Sequence, residues 1–166
     1  MSVKIMSGSI FESEAGALVN PVNTQGVCGA GLALEFKKRY PENYKDYVNL
    51  CNITKCFPGT VTSGFWESGK WIINFFTKDH FKDVSKIEWI DGGLKMLSDN
   101  AIWHHYNTIA LPALGCGLGG LDWHDVRDLV LKYFDKGDGI KVELYLPKTQ
   151  RTRNIFKNNP VDLLNI

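Results

Sequence analysis

Two glycine-rich stretches constrain this chain more than anything else in it. The first, NPVNTQGVCGAG, runs from Asn20 to Gly31 and carries Asn20, Asn23, Gly26, Gly29 and Gly31 directly ahead of a helix pattern over Leu32 to Tyr40. The second, GCGLGG, runs from Gly115 to Gly120, after an apolar run ending at Leu114 and before a helix pattern from Trp123 to Phe134. Glycine weakens a folded chain unless a bend or a close approach requires it. Both clusters sit at strand-to-helix turns, where backbone N–H groups and the positive end of a helix dipole can hold a phosphate. On neighbouring strands of an open α/β sheet, two such turns face one crevice. A ligand with two phosphates fits that arrangement.

The rest of the chain supplies the sheet. Strands are expected at Val3 to Met6, Ala17 to Val22, Thr60 to Trp66, Trp71 to Phe76, Thr108 to Leu114 and Ile140 to Leu146. Between them, Leu32, Phe36 and Tyr40 recur at helical spacing, and Pro41 is a good first-turn residue for a second helix to about Leu50. Ser85 and Glu88 read as a capping box before the stripe Ile87, Ile90, Leu94, Leu97. Asp122 is a suitable cap for the stripe Trp123, Val126, Val130, Phe134. Alternating strands and helices predict an α/β layered sandwich with a mixed or parallel sheet.

Length and composition exclude several classes. At 166 residues the chain reads as one domain over 1–166, with the Asn/Lys-rich end from 150 unassigned. No apolar run approaches the ~20 residues of a membrane span, and the start lacks a signal-peptide pattern, so the expected setting is cytoplasmic, away from any membrane. A formal charge of +1 gives no whole-protein case for nucleic-acid affinity. The basic end, with Lys148, Arg151, Arg153 and Lys157 against Asp162, reads as a solvated tail, the alternative being a tail that touches phosphate. Cys28, Cys51, Cys56 and Cys116 contain no C-x-x-C pair, so neither a metal nor a disulfide is expected. Cys28 and Cys116 read as small residues that fit their loops rather than as nucleophiles. Gly115 to Gly120 satisfies G-x-G-x-x-G, but Asp138 precedes the next strand instead of ending it. A dinucleotide oxidoreductase is therefore disfavoured.

Three motifs taken together, in order, are more specific: ALVNPVNTQGVCGAGLALEFKKRYPENYKDY, IINFFTKDHF and ALPALGCGLGGLDWHDV. From about Val3 to Leu146 the chain resembles the macro domain family, which binds ADP-ribose, and within it the branch of DNA ADP-ribosyl glycohydrolase antitoxins of the DarG type. The resemblance implies a three-layer α/β/α sandwich with a mixed, mostly parallel central sheet. It implies that Gly29, Ala30, Gly31 and Leu32 line one face of the pyrophosphate and ribose, and that Gly115, Cys116, Gly117, Leu118 and Gly119 cover the other. Asn20 and Asn23 match the family's motif asparagines, Asn23 being placed for the distal ribose; without the resemblance, both would read as backbone caps.

In that branch the lysine of the T-K-x-H context is linked to catalysis, and Lys78 matches it, flanked by Thr77 and His80. On context alone, a lysine after a strand is a solvated side chain. Near C1″ it could attack as an amine or, as an ammonium, stabilise developing charge. His80 could orient substrate or only pack. The chain departs from the family in three places. Ser9 stands where an adenine-recognising aspartate is common, leaving selection to Ser9 or the Ile10 amide. Gly119 replaces an acidic loop residue of a related branch, and Ala30 a frequent lysine. Tyr145 is open to two readings, an adenine stack or an outward strand tyrosine.

The implied activity is removal of ADP-ribose from a nucleobase, thymidine in single-stranded DNA, with no cofactor required. The implied partners are ADP-ribose, ADP-ribosylated single-stranded DNA and a DNA ADP-ribosyltransferase toxin. Lys37, Lys38 and Arg39 could guide a DNA strand, a solvated helix face being the plainer reading. The alternatives are a phosphatase or deacylase of small ADP-ribose derivatives and a non-catalytic ADP-ribose-binding module.

Overall fold

The computed structural model describes residues 2–148. Its six strands are β1 (Val3–Met6), β2 (Ala17–Asn23), β3 (Phe65–Glu67), β4 (Lys70–Lys78), β5 (Thr108–Leu111) and β6 (Lys141–Tyr145), in the sheet order β1-β6-β5-β2-β4-β3. Every neighbouring pair is parallel except β3 with β4. The helices are α1 (Gly31–Arg39), α2 (Pro41–Ile53), α3 (Ile87–His104) and α4 (Trp123–Phe134).

Period-two alternation in the strands builds three layers. Ala17, Val19, Ile73, Phe75, Ile109, Leu111, Val142 and Leu144 point to one face, where Ile90, Leu94 and Leu97 of α3 and Val126, Val130 and Phe134 of α4 cover them. Leu18, Ile72, Ala110 and Tyr145 point to the other face and meet Phe36 of α1, while Val22 and Phe76 meet Tyr47 of α2. The expected α/β/α sandwich with a mostly parallel sheet is the architecture found.

The differences have local causes. The expected strand over Thr60 to Trp66 shrinks to β3, with one isolated bridge from Val61 to Phe75. Gly64, at φ +121, lies between them. The strand expected to reach Leu114 stops at Leu111, because Pro112 offers no N–H to a ladder. The capping box does not form: Lys86 occupies the N-cap of α3 without a side-chain bond, and the Ser85 hydroxyl is buried without a partner. Ser85 is used elsewhere, its N–H donating to the Gly119 carbonyl at 3.0 Å. Tyr145 is neither outward nor a ring for stacking, being 2% exposed within the α1-side core. Of the basic tail only Lys148 lies inside the described residues. No helix among them is long and apolar enough to cross a membrane.

Candidate functional site

The strand order fixes where a ligand can lie. The chain leaves β2 for α1 and α2 on one face, and leaves the adjacent β5 for α4 on the other. Parallel neighbours whose connections part to opposite faces open a crevice at their C-terminal ends. The first glycine loop follows β2, the second follows β5, and the T-K-x-H segment ends β4, so all three motifs reach the same edge. An open groove of about 410 Å³ lies elsewhere, lined by Leu50, Thr54, Cys56, Phe57 and Thr62 among others, and takes in none of the expected site residues. Loop placement, not depth, locates the crevice.

The two loops offer different chemistry. The N-cap of α1 is Ala30, extended at φ −154, with no side-chain cap and no acidic residue in the first turn. Its leading N–H groups and dipole are left for an anion. The N-terminus of α4 is already served, since Asp122 accepts from the His124 N–H at 2.8 Å and Asp125 adds a second carboxylate. The sequence reading gave both helix ends to phosphate; only that of α1 is uncapped and free of acids. The second loop contributes backbone instead. Its turn is closed from within, by Leu121 N–H to the Gly115 carbonyl and Gly120 N–H to the Gly117 carbonyl, at 2.8 and 3.1 Å.

A bulge aims the lysine. The pairing of β2 with β4 runs in step to Val22 with Phe76 and then shifts, so that Asn23 pairs with Lys78 and Thr77 is the extra residue. Bulges re-aim the side chain that follows them. Lys78 thus stands level with Asn23, half-buried, and no hydrogen bond or ion pair engages its amine among the described residues. Thr77 is buried and lies 3.4 Å from the Val22 carbonyl. Thr24 clips the loop to the strand end, its N–H reaching the Lys78 and Asp79 carbonyls, both at 3.2 Å, and its hydroxyl the Asp79 carboxylate at 2.7 Å.

The asparagines divide. Asn23 shapes its own loop: its side-chain carbonyl accepts from Gln25 N–H at 2.9 Å and its amide donates to the Val27 carbonyl at 2.7 Å. The Tyr47 hydroxyl donates to the Asn23 main-chain carbonyl at 2.6 Å. Asn20 lies mid-strand and 2% exposed, donating to Asn74, which is paired in turn with Asn43 of α2. It sits beneath the crevice rather than in it. Ser9 caps the Phe11 N–H at 3.2 Å, and Ile10 is buried beside it. His80 stacks on Phe81 with centroids 4.4 Å apart and accepts the Lys82 N–H at Nδ1.

Burial pushes the Cys116 thiol up to about 12 and the Cys28 thiol up to about 11, so neither is a ready thiolate. The sulfurs of Cys51 and Cys56 lie 3.8 Å apart on the α2 side. Arg39 and Lys37 cover the rings of Phe11 and Tyr44 in the last turn of α1, the end away from the crevice. Among the described residues, no three His, Cys, Asp or Glu side chains cluster as metal ligands.

The sequence profile of the Macro domain matches residues 19–130, which span the first glycine loop, the lysine segment and the second loop. The chain belongs to the macro domain family. A curated relative from Thermus aquaticus, named DNA ADP-ribosyl glycohydrolase, is 36% identical over 148 residues, covering 87% of this macro domain chain and 41% of the relative. The solved macrodomain of Thermus aquaticus DarG superposes with a TM-score of 0.80, covering 87% of this chain and 98% of that one. A Thermosipho africanus relative, named a DNA ADP-ribosyl transferase–DNA ADP-ribosyl glycohydrolase fusion protein, is 31% identical and covered to 44% of its length by 93% of this chain. A structure of Thermosipho africanus DarTG in complex with ADP-ribose gives a TM-score of 0.83 at 32% identity, covering 98% of this chain and 46% of that one. The chain thus spans about two fifths of the length of the curated relatives it matches.

Reading the sequence missed the supports of this macro domain site. Thr24 and Asp79 hold the first loop to the end of β4, Tyr47 ties Asn23 to α2, and Phe81 follows in the loop after β4. Asn43 and Tyr47, four apart and both buried on α2, were a signal that this helix carries polar anchors inward.

Proposed function

We propose that this macro domain is an ADP-ribosyl glycohydrolase that removes ADP-ribose from a nucleobase, thymidine in single-stranded DNA. The observation that carries the reading is the Thr77 bulge, which pairs Lys78 with Asn23 at the end of β4, next to the strand that leads into the first glycine loop. The diphosphate would lie across the uncapped start of α1 and under the Gly117 backbone. One Asn23 amide hydrogen donates to Val27, and the second would meet a hydroxyl of the distal ribose. C1″ of that ribose then faces Lys78.

As a free amine, Lys78 would attack C1″. The bond from C1″ to the base nitrogen breaks, and the base leaves with the proton the amine gives up. Water hydrolyses the resulting C1″–Nζ adduct, releasing ADP-ribose and restoring the amine. The names of the Thermus and Thermosipho relatives support the linkage and the DNA substrate. The fusion in the second supports a DNA ADP-ribosyltransferase as the opposing partner, in a cytoplasmic setting.

The test offers three substrates: ADP-ribosylated single-stranded DNA, ADP-ribosylated protein and ADP-ribose 1″-phosphate. DNA is expected to be turned over, and Lys78→Ala is expected to abolish turnover while calorimetry still detects ADP-ribose binding. Sodium cyanoborohydride during turnover should leave ADP-ribose covalently on Lys78, by reduction of the ring-opened adduct. Binding without turnover of any substrate would reduce the protein to a binding module. Preferred turnover of the phosphate would make it a phosphatase.

A further inference from the structure

The rim beyond Lys78 has features that ADP-ribose does not use. Phe81 is 44% exposed, although a ring of this size is ordinarily withdrawn from water. It is not a loose side chain. The His80 ring lies against it at 27° between planes, and the His80 backbone carbonyl accepts the Asp83 N–H at 3.0 Å. The upstream end of the loop is clipped by Thr24 to Asp79, and the downstream end by Ser85 N–H to Gly119. A ring fixed at both ends and backed by a second ring is a preorganised surface.

Its neighbours extend it. Val84 is 63% exposed and Leu118 78% exposed, and the two loops that carry them are joined by the Ser85–Gly119 bond. The Lys82 amine lies over the Phe81 ring, 5.7 Å from its centre. An exposed aromatic ring with a flexible cationic side chain beside it matches a stacked base with its phosphate. The surface begins three residues after Lys78, in the loop that leaves the same strand end.

We infer that Phe81, backed by His80, is a stacking shelf for the nucleotide next to the modified base, that nucleotide's ring taking the place of the Lys82 amine over it, and so selects a nucleic-acid strand over a free nucleoside. This rests on the glycohydrolase reading and adds to it the part of the substrate beyond the scissile bond. Lys82 and Lys86 are offset by Asp83 and Glu88, and Lys86 is turned over the Trp89 ring at 5.1 Å. The shelf is therefore near neutral, and stacking rather than phosphate neutralisation drives its binding. Its affinity falls only weakly with salt.

The experiment compares an ADP-ribosylated single-stranded decanucleotide with ADP-ribosylated thymidine, which has the same linkage and no neighbouring nucleotide. Phe81→Ala is expected to raise KM for the oligonucleotide at least ten times more than for the nucleoside, with kcat on the oligonucleotide within threefold. Phe81→Trp, which restores a π face, should recover it. Equal effects on both substrates, or none on the oligonucleotide, overturn the shelf. A protein that turns over neither substrate refutes the glycohydrolase reading alone. The shelf is then judged by fluorescence anisotropy of an unmodified labelled oligonucleotide on the ADP-ribose-saturated protein. There, binding lost in Phe81→Ala sustains it, and binding equal in the variant, or absent from the wild type, removes it. An ADP-ribosylated peptide that shows the same Phe81 dependence would also overturn selection for nucleic acid.

Discussion

A Cβ placed on Gly119 would fall 2.6 Å from both the Gly115 carbonyl oxygen and the Ser85 hydroxyl, whereas one on Gly117 or Gly29 meets nothing within 4 Å. Glycines that look alike in the sequence therefore answer to different demands. Gly119 is required by the packing of its own loop against the segment before α3, and Gly29 and Gly117 leave their missing side chains toward open space. This difference sets opposite outcomes. Gly117→Val is expected to keep its melting temperature and to lose at least tenfold in ADP-ribose affinity by calorimetry, about 1.4 kcal/mol, because the new side chain occupies ligand space. Gly119→Ala is expected to lose stability first, with the melting temperature falling before any change in affinity can be assigned to contact. Unchanged affinity in a folded Gly117→Val protein would take the second loop out of the site. The two glycine turns and the lysine's place at a strand end were legible in the sequence. The bulge that aims Lys78 was not, because a one-residue slip in pairing depends on two strands far apart in the chain, Asn23 pairing with Lys78, and leaves no local mark.

Elements were readable where their signals were local and misread where a distant partner overrode the signal. Asp122 caps α4 as its position predicts, its Oδ1 accepting the His124 N–H. Ser85 has the same credentials before α3 but is drawn to Gly119 of the second loop, and the helix starts one residue later without a side-chain cap. Helix α3 also carries Gly92 and Gly93, a pair that propensity alone would penalise by about 1 kcal/mol each against alanine. Gly93 lies over the Phe75 ring of β4, where an added Cβ would come within 2.5 Å of two ring carbons, and that ring is fully buried. Overpacking of this kind costs about 1–3 kcal/mol, more than the propensity gained. Gly93→Ala is thus expected to lower stability in urea denaturation by about 1 kcal/mol or more, despite improving the helix. Gly92, whose nearest neighbour is the Gly59 carbonyl at 3.4 Å, serves as the control. A Gly93→Ala protein as stable as the wild type would mean that α3 is free to lift away from the sheet.

At the scale of the whole molecule, strand order decided what the sequence could only suggest. Alternation of elements gave an α/β sandwich, but the placing of β2 between β5 and β4, which opens the crevice, is a long-range result of which helices cover which face. The same layering seals a set of weak acids beneath the first glycine loop. Cys28, Tyr47 and Cys51 share the cluster between α2 and the sheet. Burial raises the Cys28 thiol from about 9 to about 11 and the Cys51 thiol to about 12, and raises the Tyr47 hydroxyl as well. Each group stays neutral in the fold after its unfolded counterpart has begun to ionise. Their contribution to stability is therefore whole below about pH 9 and is lost as pH climbs through the folded values. Between pH 9 and 11 Cys28 alone contributes a loss on the order of 1 kcal/mol per pH unit. Urea midpoints measured from pH 7.5 to 10.5 are expected to hold and then fall. Cys28→Ala should start lower, from lost packing, but fall less steeply above pH 9, because one ionising group has been removed from the unfolded chain. Parallel profiles for the two proteins would show that the thiol reaches water in the folded state and that the layer over the first loop is open.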